Sequence, residues 1–124
     1  MPSKKQSPRT LRVADRIKIE LAEILVTKTE DPRLRVLSVT GAEVSRDLSI
    51  AKVWVAAGTL SREDEPGVLQ ALERAAPYFR SLLAPRLQLR IVPVLHFQVD
   101  HSIEAGARIE QLLREAQKPE PRDE

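Results

Sequence analysis

Two groups of arginines are the residues of this chain whose chemistry best suits a ligand. Arginine supplies 14 of the 20 basic residues, and its guanidinium pairs with phosphate oxygens and stacks on nucleic-acid bases. The first group has the spacing i, i+3, i+7 and comprises Arg9, Arg12 and Arg16. The second surrounds Ala75-Ala76-Pro77 and comprises Arg74 and Arg80, with Arg86 and Arg90 following. The pattern indicates phosphate binding, but a solvated basic surface has the same composition, and charge alone leaves both interpretations open.

The elements that carry these arginines support the first interpretation. Ser7 and Pro8 are typical of a helix start, so the first group lies in the opening turns, where the helix dipole favours acids. Local stability does not explain basic residues there, whereas an external phosphate does. Pro77 lacks an N–H and should break the second helix. The helix that restarts after it would offer unpaired N–H groups to an anion.

Residues that could support catalysis or bind a metal are few. Asp100-His101-Ser102 contains the residue types of a hydrolase triad, but triads are assembled in space and adjacent residues rarely have the required geometry. Helix capping is the better interpretation. His96 and Asp100 lack the further ligands of a metal site. With four glycines and no cysteine, the chain has no phosphate-binding loop and no thiolate site. We predict no catalytic residue, no metal and no cofactor.

Hydrophobic periodicity predicts the order helix, strand, strand, helix, break, helix, strand, helix. The predicted ranges are 8–28, 36–44, 49–57, 68–76, 77–83, 89–99 and 102–116. Val13, Ile17, Leu21 and Ile24 form the apolar face of the first helix. The first two strands should form an antiparallel hairpin with a bulge near Gly41. In the last helix the apolar face should comprise Ile103, Ile109, Leu112 and Leu113.

Length and composition predict a single domain of α+β class. The chain has 124 residues and a net charge of +2, and one core is feasible at this size. We expect a flexible basic N-terminus over 1–7, a folded domain over 8–116 and a flexible tail over 117–124. No secretory signal or membrane span is visible, so the prediction is a cytoplasmic protein. With no heptad seam or long apolar edge strand, we expect a monomer.

Four segments in order resemble the bacterial ribosome-binding factor A family. They are residues 30–34 (EDPRL), 43–48 (EVSRDL), 89–97 (LRIVPVLHF) and 100–109 (DHSIEAGARI), and the resemblance covers roughly residues 8–114. It implies a K-homology-like fold of the second type, with a three-stranded sheet packed by helices. In place of the GxxG loop of ordinary K-homology domains, the family has a kinked helix pair with an Ala-x-Gly break. Here that position reads Ala75-Ala76-Pro77, with proline in place of glycine.

The resemblance implies a non-catalytic assembly factor of the small (30S) ribosomal subunit. Its members assist late maturation and 5′-end processing of 16S rRNA, support growth in the cold, and leave before translation. Carried over to this chain, the rRNA contacts fall on the first helix and the kinked pair. They rest on Arg9, Arg12, Arg16, Arg74 and Arg80, with Arg33, Arg86 and Arg90 as further candidates. Ribosomal proteins or other assembly factors are additional partners to consider.

Two other functions remain open at this point. A protein-interaction module that docks on a ribosomal protein would bind in a way that survives nuclease and depends weakly on salt. A generic single-stranded RNA-binding protein would bind unrelated oligonucleotides with similar affinity. A small hydrolase is a distant alternative, which an alanine at His96 or His101 would inactivate.

Overall fold

A three-stranded sheet with helices packed against it forms the core of the molecule. The computed structural model describes residues 7–117, except for the side chains of residues 103–107. The elements are α1 (Pro8–Thr27), α2 (Pro32–Arg35), β1 (Ser38–Val44), β2 (Ile50–Ala56), α3 (Glu65–Leu87), β3 (Val94–Val99) and α4 (Ser102–Gln117). The strand order is β1-β2-β3. β1 pairs antiparallel with β2, which pairs parallel with β3. The predicted α+β class is confirmed.

Helix α1 begins where the sequence predicts and buries nearly the predicted face. The Ser7 hydroxyl accepts a hydrogen bond from the Thr10 backbone N–H at 3.2 Å, and Pro8 follows it. Of the predicted face, Val13 is only partly buried. The fully buried residues of α1 are Ile17, Leu21, Ile24 and Leu25. Because α1 and α3 pack on the sheet and on each other, these side chains fill the layer between them.

The β1–β2 hairpin and its bulge are confirmed. The register shifts between Val39 and Gly41, which is the pattern of a β-bulge. The turn after β1 is held by the Asp47 carboxylate, which accepts hydrogen bonds from the Ser49 and Ser45 hydroxyls at 2.7 and 2.8 Å. These bonds and the Ser49 backbone N–H lower the pKa of Asp47 to about 2. The turn therefore carries its own polar network.

The structure shortens two of the predicted strands. The first strand was expected from residue 36, but the Asp31 carboxylate accepts from the Arg33 backbone N–H at 2.9 Å and caps the short helix α2. The third was expected from residue 89, but β3 begins at Val94. Pro93 directly before it cannot donate a ladder hydrogen bond. The carbonyls of Val92 and Pro93 are bound by a side chain of α3 rather than by a strand.

Helix α3 is one continuous helix, so the predicted restart after Ala75-Ala76-Pro77 is wrong, whereas a kink at this point stays a prediction. The chain stays helical from Glu65 to Leu87 through both Pro77 and Pro85. Pro77 removes the hydrogen bond to the carbonyl of Glu73, but both residues are exposed, so water can reach that carbonyl. A buried stripe spans the proline and holds both halves on the core: Val68, Leu72, Ala76, Phe79 and Leu83.

Helix α4 follows a capped turn after β3. The Asp100 carboxylate accepts a hydrogen bond from the Ser102 backbone N–H at 2.8 Å, so the predicted capping is confirmed. The predicted apolar face of this helix is not buried: Ile109, Leu112 and Leu113 are 58%, 57% and 56% exposed. Ile103 belongs to the residues whose side chains are not described. The expectations for residues 1–6 and 118–124 lie outside the described residues, whereas Ser7 and Gln117, assigned to the terminal segments by the sequence, are the N-cap of α1 and the last residue of α4.

A helix that crosses a membrane must be both long and apolar. Among the described residues, no helix is both long and apolar enough to cross a bilayer.

Candidate nucleic-acid interface

The start of α1 and the end of α3 enclose a groove lined by arginines. Its volume is about 370 Å³, and Arg12, Arg16 and Arg86 form its basic part. Val13, Leu87 and Leu89 add apolar surface, and Gln88 adds a carboxamide. The fold thus joins two arginines of the first predicted group to one from the distant end of α3. Adjacent cationic and apolar side chains suit a nucleic-acid strand, since the cations contact the phosphates of its backbone.

Helix α1 holds the first group of arginines as predicted. Arg9, Arg12 and Arg16 are all exposed, and their spacing places them on one face of the helix. In the described part of the chain, neither Arg9 nor Arg12 forms an ion pair or a side-chain hydrogen bond. Arg16 contacts Glu20 at 2.9 Å, yet its side chain remains 56% exposed. All three guanidiniums can therefore meet an anion.

Glu20 connects the two helices at this groove, and the sequence reasoning did not identify it. One carboxylate oxygen of Glu20 lies 2.9 Å from Nη2 of Arg16, and the other lies 3.2 Å from Nη1 of Arg86. Arg86 also lies 3.5 Å from Glu23, which is 59% exposed, whereas the Glu20 side chain is only 12% exposed. The i, i+4 spacing of Arg16 and Glu20 was a visible signal, but the contact with Arg86 depends on how the helices pack.

The second predicted group does not form one cluster. Arg74 and Arg80 are six residues, about 1.7 turns, apart on a continuous helix, so their side chains leave different faces of α3. Arg80 is half-buried, and its guanidinium donates to the carbonyls of Val92 at 2.8 Å and Pro93 at 3.1 Å. Arg80 thus holds the segment that enters β3. Because α3 does not restart after Pro77, the expected unpaired N–H groups are absent there among the described residues.

Arg74 and Arg33 lie near Asp31, away from the groove. The Arg33 guanidinium pairs with Asp31 at 2.7 Å. The hydrogen bonds from Arg33, followed by the charges of Arg33 and Arg74, lower the pKa of Asp31. Both arginines are exposed, but the carboxylate among them offsets part of their charge. Arg90 is exposed beyond the end of α3. These three residues remain predictions as RNA contacts.

Two other concave surfaces are less suited to a polyanion. The surface beside Pro77, about 320 Å³, includes Glu73 and the already occupied Arg80. Tyr78 is 50% exposed and does not line it. A larger cavity of about 520 Å³ lies at the ends of β2 and β3, and its lining includes the acids Glu65 and Asp100 as well as Arg62 and His101. Acidic groups in both surfaces oppose phosphate binding.

Two of the residues considered for catalysis or metal binding, Asp100 and His101, have structural partners. The Thr40 hydroxyl donates to Asp100 at 2.6 Å, and hydrogen bonds from Ser102 and Thr40 lower the pKa of Asp100 to about 2. His101 lies 3.2 Å from Glu65. Within the described residues, no group of three or more His, Cys, Asp or Glu side chains could hold a metal ion.

The geometry defines a small α+β domain of K-homology-like type with a basic groove between two helices. Comparison with known proteins identifies the family within this class. The sequence model described as "Ribosome-binding factor A" matches residues 9–113. Ribosome-binding factor A of Alkalilimnicola ehrlichii is 47% identical over 109 residues, which cover 88% of this chain and 84% of that protein. The chain belongs to the ribosome-binding factor A family.

Solved structures of the family share this fold. The crystal structure of ribosome-binding factor A from Thermus thermophilus is 34% identical, with a TM-score of 0.62, over 73% of this chain and 94% of that one. A homology model of the Thermus thermophilus factor, fitted into the cryo-EM map of its complex with 30S, is also 34% identical. Its TM-score is 0.60, over 71% of this chain and 91% of that one.

Proposed function

We propose that this protein is a non-catalytic assembly factor that binds the small ribosomal subunit through its 16S rRNA. The observation that carries the proposal is the groove in which Arg12, Arg16 and Arg86 meet. Family membership supports it, as does the fitting of the related Thermus thermophilus factor into a 30S complex.

The mechanism we propose is electrostatic. The exposed arginines of α1 and the end of α3 bind phosphates of flexible, immature rRNA and hold one local arrangement while neighbouring parts mature. Each phosphate that is neutralised releases condensed counterions, so binding should weaken steeply with salt. We propose that this supports late maturation and 5′-end processing of the rRNA and growth in the cold. In this proposal the protein acts as a cytoplasmic monomer that leaves before translation.

Co-sedimentation of the full chain with purified small subunits, immature and mature, tests the proposal across a salt series. We expect preferential and salt-sensitive binding to one form of the subunit. Nuclease treatment of the subunits should release the protein. Absence of binding at low salt would refute the function and leave the fold with an unknown partner.

A protein-interaction module is the second candidate, and one observation favours it. Ile109, Leu112 and Leu113 form an exposed apolar stripe on α4, a surface that suits a protein partner such as a ribosomal protein or another assembly factor. Under this alternative, binding would survive nuclease and depend weakly on salt. A generic single-stranded RNA-binding protein would instead bind unrelated oligonucleotides and mature or immature subunits with similar affinity.

A further inference from the structure

Glu20 is an acidic residue that contacts two of the arginines lining the groove that we assign to a polyanion, and this position requires an explanation. Its side chain is 12% exposed, and its two carboxylate oxygens contact two arginines of two different helices, at 2.9 and 3.2 Å. An acid at this place repels phosphate. It therefore lowers RNA affinity unless its effect on the arginines outweighs its charge.

We infer that Glu20 is a positioning residue that sets Arg16 and Arg86 at a fixed separation for binding RNA phosphates. The inference rests on the proposed function. A guanidinium has five N–H donors, and the contacts with Glu20 use one terminal nitrogen of each arginine. Both arginines line the groove and keep part of their side chains exposed, 56% for Arg16 and 23% for Arg86. Fixing two long side chains before binding removes part of the ordering cost that binding otherwise carries.

The direction in which one substitution changes RNA affinity separates a positioning role from a simple effect of charge. Glu20→Gln removes the acid, so charge alone predicts tighter RNA binding. In place of the two carboxylate oxygens, the glutamine presents one acceptor oxygen and one NH₂ donor, so it can keep the contact with one guanidinium but directs N–H groups at the other. Positioning therefore predicts weaker binding, by about 3- to 10-fold, the range expected when one long side chain loses its order.

Glu23→Gln is the matched control. Glu23 lies three residues from Glu20, and it contacts only Arg86, at 3.5 Å, from a side chain that is 59% exposed. The substitution changes the net charge by the same amount but leaves the pairs with Glu20 in place. We expect unchanged or slightly tighter binding. Glu20→Asp is the second test, because it keeps the charge while the shorter side chain cannot reach both arginines. It should also weaken binding, and it serves if Glu20→Gln does not fold.

Co-sedimentation of each full-length variant with immature small subunits, at several salt concentrations, is the measurement, and circular dichroism confirms that each variant is folded. Glu20→Gln and Glu20→Asp should both bind more weakly than Glu23→Gln at each salt concentration. If the wild-type protein binds with a steep salt dependence and Glu20→Gln binds equally or more tightly, the positioning role is overturned and the proposed function stands. If the wild-type protein does not bind, the proposed function itself fails.

Discussion

Replacing Arg80 by alanine should destabilise the fold while leaving RNA binding almost intact. Arg80 lies in the group that the sequence assigns to RNA, but its guanidinium donates to the carbonyls of Val92 and Pro93. Those carbonyls precede β3, whose first residue donates to the Ser49 carbonyl at 2.9 Å. Loss of Arg80 therefore frees the segment that sets where β3 begins to pair with β2.

The magnitude follows from two hydrogen bonds that involve a charged donor. Such bonds contribute about 1.5–3 kcal/mol each when buried, but Arg80 is only half-buried and water can replace part of the loss. We expect a decrease of about 2–3 kcal/mol in the free energy of unfolding, estimated from the lower part of that range. At about 4 °C per kcal/mol for a chain of this size, the melting temperature should fall by about 8–12 °C.

Urea unfolding followed by circular dichroism measures this loss, with Arg74→Ala as the matched control. Arg74 lies on the same helix and is exposed, so its replacement should change the unfolding free energy by less than about 0.5 kcal/mol. Subunit binding of Arg80→Ala, measured where the protein is fully folded, should stay within about two-fold of wild type, since the Arg80 guanidinium is bound to the protein's own carbonyls. The reasoning is refuted if Arg80→Ala keeps its stability but loses subunit binding.

Three further predictions test other parts of the molecule. Replacing Arg9, Arg12 and Arg16 together by alanine should weaken subunit binding. The slope of log K against log salt concentration, measured by co-sedimentation, should become shallower by roughly 0.7–0.9 per lost phosphate contact. Unchanged binding would exclude this face of α1. Pro77→Ala should raise the unfolding free energy by about 1–3 kcal/mol, because it restores a donor within a continuous helix; no gain in urea unfolding would favour a break at this point. Asp100 has a pKa lowered from 3.8 to about 2, so its contribution to stability is present above about pH 4 and is lost as the pH falls towards 2. Asp100→Asn should therefore be less stable than wild type at pH 7, and the difference should shrink in acid when unfolding is measured against pH.

Local patterns predicted the elements better than the site. The buried face of α1, the hairpin and the bulge at Gly41 depend on periodicity and turn residues within a few positions, and they were predicted correctly. The predicted restart of the helix at Pro77 was wrong, because the cost of one lost hydrogen bond competes with a buried stripe along the whole of α3. The outcome depends on how many side chains of the helix are buried, and a single proline in the sequence does not show this.

The site depends on contacts between distant segments, and there the sequence grouped the wrong arginines. Proximity in sequence joined Arg74 to Arg80, although a continuous helix turns them to different faces. The fold instead brings Arg86 beside Glu20, 66 residues away. No spacing rule along a single element could indicate that pair.

The contacts of each arginine distinguish its role better than its charge does. Arg80 uses its guanidinium on the protein's own carbonyls, whereas Arg9 and Arg12 are exposed on the helix face that borders the groove. Arg16 and Arg86 are intermediate, because Glu20 binds one nitrogen of each and both still line the groove. Phosphate contacts contribute to the salt dependence of binding, and internal hydrogen bonds contribute to stability. Measuring both quantities for the same set of variants therefore separates the arginines that build this fold from those that bind its ligand.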